Sequence, residues 1–578
     1  MSQIVDETTD FQETRHRIAN VYGEVPDLLA DGLMKLINEC RAEHESDSGA
    51  SPSKPLWDHR DVVLITYGDQ VRDTTSVPLK AQHDFLVRHQ LQELIRCVHL
   101  LPFCPSTSDD GFSVADYLAV DPDCGTWDDI YRLSEDFDLM YDLVLNHSSK
   151  SHRWFQEFIG GNPQYANYYA TADPLEDLSE VVRPRSLPLL TEFETATGKQ
   201  HVWTTFSADQ VDLNYANPKV MLRMIETLVE YARRGARIIR LDAIAFLWKE
   251  IGTSCLHLPQ THAAVKLMRH VLDQAVPGTI VLTETNVPHH ENISYFGDGD
   301  DEAHMVYQFS LPPLMLDAIH SGDCGVLADW MRTLELPSDR TTYFNFTASH
   351  DGIGVRPAEG LVPPERIDAL VKIVRDQGGR VGMRANGDGT ESPYEMNITY
   401  LDAVADRRVV PPSEHSRRFL ATQAIMLSMR GVPAVYFHSL VGSPSDIEGM
   451  ENSGIPRRIN RHKYDTNELE TALSQADSLQ RRVFDGYQRL LEVRRGQIAF
   501  DPIATQEMLD LPSDGLIGFI RRHPDGSTLT MVANLSDQPR TVEASRLTET
   551  FARDVLAEET LDPSESVTLR PFQVRWLV

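Results

Sequence analysis

The chain is poor in cysteine, with six among 578 residues, at positions 40, 97, 104, 124, 255 and 324, and no pair has C-x-x-C spacing. Neither a zinc knuckle nor a disulfide framework is therefore indicated; Cys97, in an apolar run, reads as core. Long hydrophobic runs are also missing. No stretch reaches the roughly 18 apolar residues of a bilayer span, and the start, MSQIVDETTDFQE, is acidic where a secretory signal would be basic and then apolar. A cytoplasmic protein is expected. Positive charge is scarce: 54 Lys and Arg against 86 Asp and Glu give a net charge of −32. Such an excess repels phosphodiester backbones and anionic lipid, so nucleic-acid and membrane partners are excluded and small-molecule substrates are expected. Neither a phosphate-cradling glycine loop nor a dinucleotide fingerprint occurs, so no cofactor is expected. The segment GDGDDEAH (297–304) lacks the EF-hand spacing and its closing glutamate and reads as a solvated acidic turn.

What is present is a globular enzyme's share of apolar residues, 41%, arranged in two periods. Ile18, Val21, Leu28, Leu29, Leu33, Leu36 and Ile37 recur at helical spacing and precede ESDSGASPSKP, a linker by composition, so residues 1–56 read as an N-terminal helical extension. Eight short apolar runs then alternate with helix-length segments: 61–68, 97–103, 138–147, 236–246, 278–286, 303–312, 341–351 and 431–440. This alternation predicts an α/β fold, a parallel (β/α)8 TIM barrel over 57–148 and 226–500. The long gap after the third strand predicts an inserted subdomain at 149–225. Beyond residue 500, GLIGFIRRH, TLTMVANLS and VTLRPFQVRWLV are strand-like runs without helices between them and predict an antiparallel β-domain at 501–578.

Within ARIIRLDAIAF (236–246), Ile238, Arg240 and Asp242 share one side of a strand, so two charges point together out of an apolar run. Burying them unpaired would cost several kcal/mol each, which leaves a structural ion pair or a ligand site. In this type of barrel the strand C-terminal ends form the active face. Asp242 ends the fourth strand, Glu284 the fifth, Asp351 with His350 the seventh, and Asn146 with His147 the third. Three carboxylates, a guanidinium and two imidazoles are thus expected at one mouth. A metal site would draw its oxygens from a compact loop and would not sit beside an arginine, so no metal is expected. Glycosyl transfer needs a carboxylate to attack the anomeric carbon, a second acid to protonate the leaving oxygen and a further one to hold the distorting sugar. Arg240 would keep Asp242 ionised, as a nucleophile requires.

These motifs resemble glycoside hydrolase family 13, the α-amylase-like enzymes, and within it the sucrose-phosphorylase-like branch. DLVLNH is similar to the family's first motif, RIIRLDAIAF to the nucleophile motif, TETN to the acid/base strand and TASHDGIGV to the motif ending in the third carboxylate. The resemblance implies Asp242 as nucleophile, Glu284 as acid/base, Asp351 as transition-state stabiliser, and His147 and His350 as glucose ligands. SDDGFS (108–113), RPRSLPLLT (183–191), GTSC (252–255), QFSLPPL (308–314) and RRINRHKY (457–464) resemble the phosphorylase branch. By that similarity Asp109 and Arg457 clamp the far edge of the glucosyl unit, Phe112 and Phe206 wall its ring, and Gln210 lies on the acceptor side. Phosphorolysis brings an anion up to carboxylates, so a local cation must offset the repulsion; Arg185 and Tyr394 are similar to the residues that do so. Asn286 stands where sucrose phosphorylases tend to have histidine, and the loop MRANGDGTESPYEMNITY (383–400) departs from theirs. That loop sets Glu391 and Glu395 against Arg384, which favours a neutral polyol over an acid as acceptor. The implied reaction is reversible phosphorolysis of 2-O-α-glucosylglycerol to α-glucose 1-phosphate and glycerol. Glucosylglycerate and sucrose phosphorylases, and a silent carbohydrate-binding subunit, are the alternatives.

Overall fold

In the computed structural model, residues 2–47, 55–185, 187–385, 390–547 and 549–578 are described. Most of the linker read at 45–55, and Asn386–Gly389 of the loop at 383–400, lie outside them. Eight parallel strands close a barrel: β1 Val63–Thr66, β2 Cys97–Leu100, β3 Asp138–Val144, β4 Ala236–Asp242, β5 Ile280–Thr283, β6 Met305–Tyr307, β7 Thr342–Asn345 and β8 Val432–Tyr436. Each lies within one of the eight runs read from the sequence, and β8 closes the ring on β1. Their nearly continuous burial is that of a parallel sheet with helices outside and packed side chains within. On β4 the alternation turns Arg240 inward, in register with Asp142 of β3 on one side and Leu282 of β5 on the other.

Two helices, α1 (Ser2–Tyr22) and α2 (Asp27–Asp47), form the N-terminal extension and lie on the barrel helices that flank β4, α3 (Pro218–Arg233) and α4 (Pro259–Ala275). Ile18, Val21, Leu29, Leu33 and Ile37 are buried there, and the Tyr22 hydroxyl donates to the Tyr215 carbonyl at 2.9 Å while its ring meets Trp248 edge-on. Helix α3 begins at Pro218, inside the segment 149–225 assigned to the insert. Asn217 caps it by accepting the Lys219 N–H, and Pro218 occupies the first turn, a start signal that the apolar periodicity did not register.

Two excursions rise from the C-terminal ends of the strands. Between β3 and α3, His147–Ser149 pairs with Gln210–Asp212 and Leu190–Thr195 with Gly198–Trp203, over a small apolar cluster of Ala170, Val181, Leu189, Trp203 and Cys255. Between β7 and β8, strands Arg380–Ala385 and Glu391–Asn397 form a hairpin joined by Ile353–Gly354. Both therefore wall the same mouth. The chain ends in a six-stranded antiparallel sheet with its own apolar cluster. At the boundary Arg521, fully buried, donates to the carbonyls of Ser428 at 2.9 Å, Asp501 at 2.7 Å, Ala504 at 3.3 Å and Thr505 at 3.2 Å.

Candidate active site

A cavity opens at the C-terminal end of the barrel, and Asp242, Glu284 and Asp351 all line it. Arg240 lies beneath them. Its Nη1 donates to Asp242 Oδ1 at 2.8 Å and to Asp142 Oδ1 at 2.5 Å, and its Nη2 lies 3.9 Å from Glu284 Oε2. Asp142 is held from behind by His99 Nε2 at 2.7 Å. Ala243, next after Asp242, takes φ +52, a region non-glycine residues seldom adopt. The turn sends its N–H to Glu284 Oε2 at 2.9 Å, tying the ends of β4 and β5 together. Asp351 accepts Arg457 Nη1 at 2.6 Å, and Arg457 also makes a forked pair with buried Glu395, at 3.0 and 2.6 Å.

The remaining walls carry most of the residues read from the sequence. His147 Nε2 lies 2.9 Å from the Phe112 carbonyl and 3.2 Å from Gln210 Nε2, and Phe206 packs on His147 with ring centres 5.2 Å apart. Phe112 stacks flat on His350 at 4.7 Å. Asp109 lines the cavity beside Arg457, although its ionic contact is to Arg461, 3.4 Å away. Arg185, Tyr394 and Asn286 line it as well. Arg384 and Glu391 do not. Arg384 donates to Ser392 and to Glu359 at 2.9 Å, and Glu391 is exposed at the start of its strand, so the expectation that these two meet the acceptor is corrected. Hairpin alternation explains it: Tyr394 and Arg384 are fixed by strand register, which a loop's composition does not reveal. Arg356, Thr285 and Phe246 line the cavity without having been singled out. The signal for Arg356 was its place in DGIGVRP, a few residues past Asp351.

The electrostatics correct a second expectation. Burial would raise the Asp142 carboxyl, but Arg240 and His99 outweigh it and hold it at about 2. Arg240 is thus divided between two acids and does not serve Asp242 alone. Burial pushes Asp242 well above the usual carboxylate range; Arg240 opposes this, and Glu284, Asp142 and Asp351 add to it. Glu284 is raised too, by burial first and by Asp351, against Arg240. Arg240 contacts Asp242 at 2.8 Å and reaches Glu284 only at 3.9 Å, which favours negative charge on Asp242 and the proton on Glu284. His350 and His147 are lowered by burial and are neutral near pH 7, each able to donate and accept with a sugar hydroxyl. Among the described residues no cluster of three His, Cys, Asp or Glu side chains could hold a metal, and no helix is long and apolar enough to cross a membrane.

A barrel that brings three carboxylates from separate strand ends around one buried guanidinium belongs to the α-amylase-like glycosyl-transfer class. Residues 90–351 match the α-amylase catalytic domain, and residues 514–577 match the C-terminal immunoglobulin-like domain of D-apionate lactonase. The chain is 48% identical to the glucosylglycerate phosphorylase of Spirochaeta thermophila over 541 residues, covering 91% of each. It is 30% identical to the glucosylglycerol phosphorylase of Marinobacter adhaerens over 453 residues, 76% of this chain and 88% of that one. The crystal structure of sucrose 6F-phosphate phosphorylase from Thermoanaerobacter thermosaccharolyticum superposes with a TM-score of 0.71 at 26% identity, over 84% of this chain and 94% of that one. The chain belongs to glycoside hydrolase family 13, in its sucrose-phosphorylase-like branch, and is a glycoside phosphorylase, a hexosyltransferase.

Proposed function

We propose that the protein is a retaining glucosylglycerate phosphorylase, converting α-glucosylglycerate and phosphate to α-glucose 1-phosphate and glycerate. The carrying observation is the charge of the acceptor side. Arg185 and Arg356 both face the cavity, Arg185 has no ion-pair partner among the described residues, and Arg356 has one long contact, Nη2 to Glu291 Oε2 at 3.3 Å. Two under-neutralised guanidiniums beside carboxylates suit a reaction whose leaving acceptor and incoming nucleophile are both anions. The preference for glycerol rested on Glu391 and Glu395 outweighing Arg384. Arg384 and Glu391 are off the cavity, and Glu395 is neutralised by Arg457. The 48% identity to a relative named for glucosylglycerate supports the same substrate.

In this reading Glu284 protonates the glycosidic oxygen as Asp242 attacks C1, releasing glycerate and forming a glucosyl ester on Asp242. Asp351, fixed by Arg457, holds ring hydroxyls as positive charge develops at C1. Phosphate then attacks C1 from the vacated side, with Glu284 taking its proton, and the two inversions restore the α configuration. Glucose 1-phosphate formation is measured with phosphate and glucosylglycerate, glucosylglycerol or sucrose. The expected result is the highest kcat/KM with glucosylglycerate. Equal or better turnover of glucosylglycerol or sucrose overturns the acceptor, and glucose release that ignores phosphate overturns phosphorolysis.

A further inference from the structure

Arg356 differs from Arg240 and Arg457 in how its charge is engaged. Arg240 is shared by Asp142 and Asp242, and Arg457 by Asp351 and Glu395. Among the described residues Arg356 pairs with Glu291 alone, through one nitrogen, and its other N–H groups meet no acceptor. It opens a 3-10 turn directly after Ile353–Gly354. A Cβ on Gly354 would lie 2.6 Å from Asn286 Oδ1, so only bare backbone lets Asn286 lie there. That oxygen is itself buried and without a hydrogen-bond partner among the described residues.

Behind Arg356 stands a relay. Glu291 Oε2 lies 3.1 Å from His257 Nε2, and His257 Nδ1 lies 2.9 Å from the Tyr295 hydroxyl. Glu291 only accepts, so Nε2 carries the proton and Nδ1 accepts from Tyr295. Burial pulls His257 down to about 4, so it is neutral and Glu291 balances Arg356 alone. His257 and Cys255 take φ +54 and +50, left-handed values held only where surroundings over-determine them. Arg356 lines the same cavity as Thr285 and Asn286 at the exit of β5 and as Glu284, the group that must protonate the leaving oxygen.

Resting on the glucosylglycerate reading, we propose that Arg356 determines acceptor specificity. Its guanidinium receives the carboxylate borne on the carbon next to the glycosidic oxygen, and Glu291 and His257 act as positioning residues that aim it. Arg185, beside Tyr394, is left to phosphate. The test runs the synthetic direction, with α-glucose 1-phosphate as donor and either glycerate or glycerol as acceptor, on the wild type, Arg356→Leu, Arg356→Lys and Glu291→Gln. The readout is the ratio of kcat/KM for glycerate over glycerol, which does not depend on the folded fraction of a variant. A charge-assisted hydrogen bond predicts that the ratio falls about 10- to 100-fold in Arg356→Leu. The falls are smaller in Arg356→Lys and Glu291→Gln. In the phosphorolytic direction, KM for phosphate changes far less than KM for glucosylglycerate does. A wild type that uses glycerate while Arg356→Leu keeps its ratio overturns the assignment and leaves the function standing. Equal rises in both KM values also overturn it, as does a larger fall in Glu291→Gln than in Arg356→Leu. A wild type that refuses glycerate overturns the function first, before any variant is made.

Discussion

The two ends of the cavity are built on different terms. At the glucosyl end the charges have fixed partners: Arg240 joins Asp142 and Asp242 on barrel strands, and Arg457 joins Asp351, just past β7, to Glu395 of the hairpin. At the acceptor end the charges come from excursions and are loosely held, with Arg185 unpaired among the described residues and Arg356 on one long contact. The first end is organised before any ligand arrives, as stabilising a developing charge requires. On the proposed function, the second end is completed by the anions that it binds, so that one end carries the chemistry and the other the choice of acceptor.

The strongest challenge to this contrast is Asp242→Asn. Loss of the nucleophile at the fixed end is expected to lower glucosyl transfer at least about 10⁴-fold, read as glucose 1-phosphate formation. The same change should raise Tm at pH 7. Asp242 is raised in the folded state, so its contribution to stability is present below the ordinary carboxylate range and lost as pH rises through its folded value. The Tm gain should therefore vanish near pH 3, and a fall in Tm at pH 7 would contradict the charge balance described.

Glu284→Gln comes next, with a loss of about 10²- to 10⁴-fold in kcat/KM for unactivated glucosides. Because Glu284 is raised, the wild-type rate should fall as pH rises through its folded value, and this basic limb should be missing from the variant's residual activity. At the loose end, Arg185→Ala should raise KM for phosphate about 10- to 100-fold and leave kcat at saturating phosphate within a few fold. A collapse of kcat with unchanged KM would place Arg185 with the fixed end. The smallest effects belong to Arg384→Ala and Glu391→Gln, expected within about twofold for every substrate, since an exposed pair such as Arg384 with Glu359 contributes about 0–1 kcal/mol. A larger shift in acceptor preference would return the hairpin edge to the site.

The same contrast marks what the amino-acid sequence made legible. Ile238, Arg240 and Asp242 alternate on a strand, and Glu284 and Asp351 follow apolar runs, so strand period and barrel geometry were enough to bring them to one rim. Arg384 and Glu391 were misjudged because their facing depends on hairpin register, with a bulge at Gly382/Met383, which no local pattern announces. Arg356 was passed over because its place a few residues past Asp351 does not by itself separate a cavity arginine from a surface one. Its significance comes from Glu291 and His257, distant in sequence. The sharing of Arg240 with Asp142 was likewise invisible, being a cross-strand pairing between β3 and β4. The start of α3 was readable in hindsight from Asn217-Pro218.

Arg521 carries a consequence for how the molecule comes apart. Its guanidinium is the rivet between the catalytic body and the terminal sheet, gripping carbonyl oxygens of Ser428 on one side and of Asp501, Ala504 and Thr505 on the other. Pulling the sheet away would strip the Ser428 carbonyl from this buried guanidinium and open the apolar seam around it to water. The two parts should consequently melt as one calorimetric unit, and the sheet is better regarded as a clamp on the barrel than as a detachable module.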